Sequence, residues 1–454
     1  MFSPELKEQI FIGRTKTFFP SIWAKYEEFL AHEKMSRDEL DAYNFKKRQE
    51  ILAYAYNNTG FYRDLYDSVG LKPEDIKTEA DWGNVPIVTK QMVREHWEKM
   101  MAESIDSPYA LEKSTGGSTG KPLTIYGDAR SILPIYEWRA WRWWTKGSGM
   151  PFLGQDDARL WRYRGIGVSS IDALRKTSVT FYPQKRAYLD AYSMIDDEIN
   201  AFMNDLNQMQ SPRIMGYTGA VTELAQRIQK GDFKLEVTPQ SIAVTSSVLS
   251  DNARALIEST FGCSCYDMYA SNETSWAAIQ YSNISKQLCV LSDVVHLEIV
   301  GDEMEVLQDG MRGRTVATTL ENHVMPLIRY MIGDYTRMYR KVPECSLPFP
   351  LIDPVEGRET DYLIDRDGKQ TFGWCASFDS CSTSVHTYQY IQEAPGVVTL
   401  LIVKNKQSDA FEKDFAFVQE KFLEPLKGRI DFTIQLVDSI PHDNGKARFI
   451  VYKS

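Results

Sequence analysis

Residues 114–122 read Ser114-Thr115-Gly116-Gly117-Ser118-Thr119-Gly120-Lys121-Pro122. Glycine lets the backbone turn tightly and bring N–H groups close to an anion. Hydroxyls add donors, and the lysine adds a point charge. The string is not a Walker A loop. That loop needs a glycine five residues before its Gly-Lys pair and a hydroxyl residue after the lysine. Here those places hold Thr115 and Pro122. A run of Gly, Ser and Thr alone is an ordinary turn composition. Its ending in Lys-Pro tilts the reading toward a loop that holds phosphates.

The rest of the chain narrows the class. Its 454 residues amount to about three units at roughly 150 residues each, or one large domain and a small one. Hydrophobic residues make up 43% and charged residues 25%, which excludes a disordered or collagen-like chain. The net charge of −10 argues against a protein that lives on a nucleic-acid backbone, which needs surplus cations. No apolar run is long enough to span a bilayer, and the charged start, with Glu5, Lys7 and Glu8, is not a secretory leader. Six cysteines in this length do not form a disulfide framework. Cys263 and Cys265 are spaced too closely for a typical zinc pair and read as buried thiols. A cytoplasmic protein, off the membrane, is the expectation.

Periodicity gives the organisation. Leu40, Tyr43, Ile51, Leu52 and Tyr56 predict an amphipathic helix over 37–58. Residues 132–146 carry Tyr136, Trp138, Trp141, Trp143 and Trp144 with Arg139 and Arg142 between them. Interleaved arginines and aromatics can stack on single-stranded nucleic acid. A helix with a buried aromatic face is the plainer expectation for an acidic chain. Helical spacing returns over 190–210 and 221–229. Residues 241–245 read as a strand, 251–261 as a helix capped by Ser250 or Asp251 and closed by Gly262, and 265–269 as a strand. That alternation predicts a parallel α/β unit. An antiparallel region is expected at 294–300, 304–307, 315–320 and 327–331. After a proline-rich stretch, 397–403, 409–422 and 430–436 read as strand, helix, strand.

Four further strings stand in order along the chain: Tyr269-Ala270-Ser271-Asn272-Glu273, Arg329-Tyr330-Met331-Ile332-Gly333-Asp334, Gly357-Arg358-Glu359-Thr360-Asp361 and Pro441-His442-Asp443-Asn444-Gly445-Lys446. Together with 114–122 they resemble the motifs of the adenylate-forming, AMP-forming ligase superfamily. The first three match its Tyr-Gly-x-Thr-Glu, Arg-Tyr-x-x-Gly-Asp and hinge Gly-Arg-x-Asp-Asp patterns. Ala270, Asn272 and Thr360 replace the pattern's Gly, Thr and first Asp. The segments Gly60-Phe61-Tyr62-Arg63, Lys72 to Ile76 and Val85 to Lys90 resemble the N-terminal region of phenylacetate–CoA ligases and of coenzyme F390 synthetase-like relatives in capsular polysaccharide biosynthesis. Met215 to Ala220 is closer to the capsular branch.

The resemblance implies a large multi-layer α/β N-terminal domain with a β subdomain, residues 1–358, and a small mobile α+β C-terminal domain, residues 359–454. It implies ATP and Mg²⁺ as cofactors and a small carboxylic acid as substrate. Ser114, Thr115, Gly116, Gly117, Ser118, Thr119, Gly120 and Lys121 would then cradle the phosphates. Tyr269 would stack on adenine, with Ser271 and Asn272 beside the nucleotide. Glu273 would bind Mg²⁺, Asp334 the ribose diol, and Arg358 ribose or phosphate. Tyr217, Thr218, Gly219, Ser246 and Ser247 would line the acid. Lys446 would swing in to bridge the carboxylate and the α-phosphate. Each residue taken singly has a plainer role as a cap, turn or solvated side chain; their order carries the reading. The implied activity is formation of an acyl-adenylate and transfer of the acyl group to coenzyme A. An amine acceptor and a catalytically silent scaffold are the alternatives, and a homodimer stays open.

Overall fold

The computed structural model describes residues 2–115, 123–131, 135–145, 150–161, 184–191, 194–282, 285–340, 347–356, 363–368, 370–371, 384–405, 408–440 and 450–453. The chain divides into two compact units. The first comprises Met1–Gly154 and Tyr266–Val355, the second Gln155–Cys265 and Glu356–Ser454.

The first unit opens with helices. Arg37–Asn58 starts at a capping box, in which the Ser36 hydroxyl accepts from Glu39 N–H and the Glu39 carboxylate accepts from Ser36 N–H. Its apolar stripe, with Leu52 and Ala55, packs with Phe61, Tyr62 and Tyr66 of the helix Gly60–Ser68 and with Val85, Val88 and Tyr330. Each such fully buried side chain is worth about 1.5–3 kcal/mol against exposure. Val88 exchanges backbone hydrogen bonds with Arg329 and Met331. The segment 85–88 is thereby stitched to the string that begins at Arg329.

The tryptophan-rich helix, Ile135–Thr145, is buried. The Arg139 guanidinium grips both oxygens of Asp293, at 2.9 and 2.6 Å, and Arg142 pairs with Glu33. The indoles of Trp141, Trp143 and Trp144 donate to Glu137, Glu33 and the Gln280 carbonyl. Rings and cations spent inside the protein are not a stacking platform for nucleic-acid bases, which removes that reading of the segment.

The strands of this unit form an antiparallel run. In order they are Val295–Val300, Arg312–Thr319, Tyr330–Tyr339, Leu351–Ile352, Leu288–Val290, Ser275–Gln280 and Cys265–Ser271. The expected strand 327–331 pairs only from Tyr330, because Arg329 adopts φ 45°, which breaks an extended run. The return at 304–307 is reduced to a single bridge, Val300 to Val306, beside Met304 at φ 66°. A separate hairpin, Ala110–Thr115 with Leu123–Asp128, flanks the glycine-rich string.

The second unit holds a parallel sheet in the order Ser241–Thr245, Arg213–Tyr217, Asp157–Trp161, Arg186–Asp190. The helices Asp196–Asn207, Thr218–Lys230 and Asp251–Phe261 cover it, burying Phe202, Leu206, Val221, Leu224 and Ile257 against Leu160, Ile214 and Val244. Strands buried on both faces read as unbroken apolar runs, as 241–245 does. Ser250 caps the last helix, and Gly262 at φ 70° ends it in the left-handed region. Gly216 sits where a Cβ would meet Val221 at 2.7 Å and Leu160 at 2.9 Å, so helix and strand pack closely only without a side chain.

The same unit contains a four-stranded sheet ordered Asp431–Leu436, Val397–Lys404, Val385–Ala394, Ile450–Tyr452. The helix expected over 409–422 is regular only at Phe411–Val418 and continues as wider and tighter turns through Leu426. Among the described residues no helix is long and apolar enough to cross a membrane.

Candidate active site

Two of the sequence strings meet in the first unit. Tyr269 lies on the strand Cys265–Ser271 and Asp334 on the strand Tyr330–Tyr339. Three strands stand between these in the sheet, so a flat sheet would hold them roughly 19 Å apart at about 4.8 Å per step. Yet the Tyr269 hydroxyl donates to Asp334 Oδ2 at 2.7 Å. The sheet therefore curls until these two strands face one another. Thr315 joins the pair: its hydroxyl lies 3.2 Å from Tyr269 Oη and accepts from the Asp334 N–H at 3.2 Å. Tyr269 and Asp334 are both buried.

Glu273 sits at the tip of the adjoining hairpin. Ser271 pairs with Ser275, leaving Asn272, Glu273 and Thr274 as a three-residue turn. The Ser271 hydroxyl accepts from Thr274 N–H at 3.0 Å, an internal brace that helps set the turn. Ser275 takes φ 59°, a costly conformation for a residue with a Cβ. The Glu273 carboxylate is half-buried, and its Oε1 accepts from the Tyr330 hydroxyl at 3.2 Å. The strings 269–273 and 329–334 are thus joined twice, through Tyr269 with Asp334 and through Glu273 with Tyr330.

The first residue of the second string does something else. Arg329 is buried, donating to Glu298 Oε2 at 3.1 Å and to the carbonyls of Gly83 and Val85 at 2.8 and 2.6 Å. It holds the 83–88 segment against the sheet.

Beside Glu273 opens a cleft whose lining includes Lys113, Asp128, Glu273, Thr274, Ser275 and Glu321. The cleft is rich in oxygen. Asp128 is compensated by Arg130 and Glu321 by Lys25. Lys113 comes from the strand that enters the glycine-rich string. Its ammonium donates to the Asn272 carbonyl at 3.2 Å and to Ser275 Oγ at 3.0 Å. Burial pushes the Lys113 amine down to about 8, and the nearby Glu273 charge works against that fall. Sequence reading missed Lys113, Thr315 and the partnership of Tyr330.

The proposed acid-side residues lie in the second unit, at the carboxyl ends of the parallel strands, where such sheets take ligands. The Tyr217 ring packs against Trp161 with centroids 4.6 Å apart and the planes tilted by 42°. The Thr218 hydroxyl lies 3.0 Å from the carbonyls of both Thr245 and Ser247. Ser246 is exposed at φ 78°. Among the described residues outside its own helix backbone, nothing lies within 4 Å of where a Gly219 Cβ would stand. Cys263 and Cys265 are unbridged, and burial pushes the Cys263 thiol up to about 12, which leaves it unreactive.

Ser114 and Thr115 close the strand Ala110–Thr115, with Thr115 paired to Leu123. Gly116, Gly117, Ser118, Thr119, Gly120, Lys121, Arg358 and Lys446 lie outside the described residues.

No protein-family profile matches the chain. It is 22% identical to "Protein CapK" of Staphylococcus aureus over 470 aligned positions, which cover 99% of this chain and 97% of that protein. It is 22% identical to the phenylacetate-coenzyme A ligase of Thermus thermophilus over 74% of each chain. Among solved structures, 2-hydroxyisobutyryl-CoA ligase in its postadenylation state superposes with a TM-score of 0.71 at 18% identity, covering 93% of this chain and 91% of that one. By fold the chain is similar to 2-hydroxyisobutyryl-CoA ligase, and by sequence to CapK and phenylacetate-coenzyme A ligase.

Proposed function

We propose that the protein activates a small carboxylic acid with ATP as an acyl-adenylate and passes the acyl group to the thiol of coenzyme A. The observation that carries this is the double junction of Tyr269 with Asp334 and Glu273 with Tyr330. It gathers an aromatic ring, a buried carboxylate for a diol and a half-buried carboxylate for a cation, on elements that follow a glycine-rich loop. The names of the relatives support the reading. So do the 2-hydroxyisobutyryl-CoA ligase structures, which hold an acyl-adenylate and coenzyme A.

In the first half-reaction an oxygen of the acid attacks the α-phosphorus of ATP, and the bond to pyrophosphate breaks. Two anions must meet, so cations and donors dominate the catalysis. Asp334 accepts both ribose hydroxyls, which suits an acceptor with two oxygens. The Tyr269 ring lies along adenine. Residues 114–121 donate backbone N–H groups, hydroxyls and the Lys121 ammonium to the β- and γ-phosphates. Arg358 adds a contact to ribose or phosphate. The oxygens around Glu273, its carboxylate with the Thr274 hydroxyl, fit a hard divalent cation such as Mg²⁺. Such an ion, when bound, neutralises phosphate charge. Lys446, carried by the segment 359–454, spans the attacking carboxylate and the α-phosphate. Tyr217, Thr218, Gly219, Ser246 and Ser247 border the acid. In the second half-reaction the thiolate sulfur attacks the acyl carbonyl and AMP leaves. The cytoplasm, which holds both ATP and coenzyme A, is the compartment this chemistry needs.

An amine in place of the thiol is the second reading. Pyrophosphate release is measured against a panel of acids, and products with coenzyme A or amines are identified by mass. Acid-dependent release with a thioester product is expected, and Lys446→Ala slows release by roughly 10²–10³-fold. Release with an amide product moves the acceptor to the amine. No release with any acid supports a silent scaffold.

A further inference from the structure

Lys113 is built unlike Arg139 and Arg329, two cations buried in its unit. Arg139 and Arg329 each grip a carboxylate directly, Asp293 and Glu298. The Lys113 ammonium instead reaches neutral groups of the 272–275 turn, the Asn272 carbonyl and the Ser275 hydroxyl. Among the described residues it makes no ion pair with Glu273, although the two line the same cleft. The arrangement costs something on both sides. A half-buried ammonium loses hydration, and Ser275 holds φ 59° where its hydroxyl can accept. The lysine also stands three residues ahead of Gly116, on the strand whose next residues form the glycine-rich loop.

We propose that Lys113 is a positioning residue: it clamps the turn that presents Glu273, keeps the carboxylate oxygens clear for a cation, and ties that turn to the strand leading into the phosphate loop. This rests on the adenylation reading above. The Tyr330 hydroxyl fixes the carboxylate from one side. Lys113 fixes the backbone beneath it from the other. A turn held at both points presents Glu273 in one place when Mg·ATP arrives, whereas a loose turn must be ordered by the ligand, which weakens its use.

The test uses the full-length protein and three variants, Lys113→Met, Lys113→Arg and Ser275→Gly. The glycine variant removes the hydroxyl while accommodating the positive φ. Two readouts are taken: the Mg²⁺ concentration for half-maximal pyrophosphate release, and binding of a fluorescent ATP analogue with Mg²⁺ or with a chelator. Lys113→Met is expected to raise the Mg²⁺ requirement about tenfold, the scale of losing hydrogen bonds to a charged group. It should also remove most of the gain in analogue binding that Mg²⁺ gives. Lys113→Arg should restore much of both, and Ser275→Gly should shift them the same way by less. An Mg²⁺ dependence unchanged in Lys113→Met and Ser275→Gly overturns the inference. So does a loss in Lys113→Met that arginine does not rescue and that tracks a lowered melting temperature. Wild-type protein that neither binds the analogue nor releases pyrophosphate overturns the adenylation reading and the inference together.

Discussion

The Tyr330 hydroxyl donates to Glu273 Oε1 across 3.2 Å, joining residues that lie 57 positions apart in the chain. Tyr330 is 1% exposed and packed in the core that also contains Tyr62 and Val88, so its hydroxyl has a fixed address. The bond therefore holds the carboxylate and not only the turn. Tyr330→Phe keeps the ring and removes the donor. Acid-dependent pyrophosphate release is expected to fall about tenfold with the melting temperature nearly unchanged, on the scale of one hydrogen bond to a charged group. An unchanged rate would detach Tyr330 from the site.

Asp334, the proposed acceptor for the ribose diol, already receives the Tyr269 hydroxyl. Asp334→Asn preserves shape but turns one acceptor into a donor. The KM for ATP should rise about tenfold or more, because a charged acceptor is replaced by a neutral one that also repels a hydroxyl hydrogen. Steady-state kinetics with varied ATP and saturating acid check this. An ATP KM equal to that of the wild type would place the ribose elsewhere.

Arg329 belongs to the same string as Asp334, yet its partners are Glu298 and the carbonyls of Gly83 and Val85. Arg329→Met strands a buried carboxylate and should cost about 3–5 kcal/mol of stability. Urea denaturation gives the loss. In the fraction that stays folded at low temperature the ATP KM should hold near the wild-type value. A large KM change without loss of stability would make Arg329 a ligand contact.

Asp293 gives the pH test. Burial alone would raise its carboxyl, but Arg139 and His32 outweigh that and hold it well below the usual carboxylate range. A depressed folded value means the unfolded chain takes up the proton first. The contribution to stability is full above about pH 4, the unfolded value, and is lost as pH falls below it. Arg139→Met reverses the balance, since burial then favours the neutral acid. The variant should be about 3–5 kcal/mol less stable at pH 7, and its deficit should narrow as pH is lowered toward 5. Denaturation curves across that range check it; a deficit independent of pH would contradict the assignment.

Much of the fold could be read along the chain because its signals are local. The capping box at Ser36 and Glu39, the apolar run 241–245 and Gly262 after its helix each declare themselves within a few residues. The motif strings marked Tyr269, Glu273 and Asp334, and the structure brings these into one part of the first unit. What stayed hidden depends on distance in sequence. Lys113 reads as a surface lysine because nothing nearby announces the turn at 272–275, some 160 residues on. Tyr330 reads as a core aromatic until the sheet curls and delivers its hydroxyl to Glu273. Arg329 looks like a site residue from its string, and only the carbonyls of Gly83 and Val85 reveal its structural task. Strand ends were misplaced where single non-glycine residues, Met304 and Arg329, adopt positive φ, which no residue type there foretells.

The central claim is that the acid's own oxygen attacks the α-phosphorus. The most direct measurement follows an acid from the active panel, labelled with ¹⁸O in its carboxyl group, through a full turnover with ATP and coenzyme A. The account predicts one labelled oxygen in the phosphate of the AMP released, and none in pyrophosphate. Label in inorganic phosphate with ADP as the product, or unlabelled AMP beside a completed thioester, would contradict it.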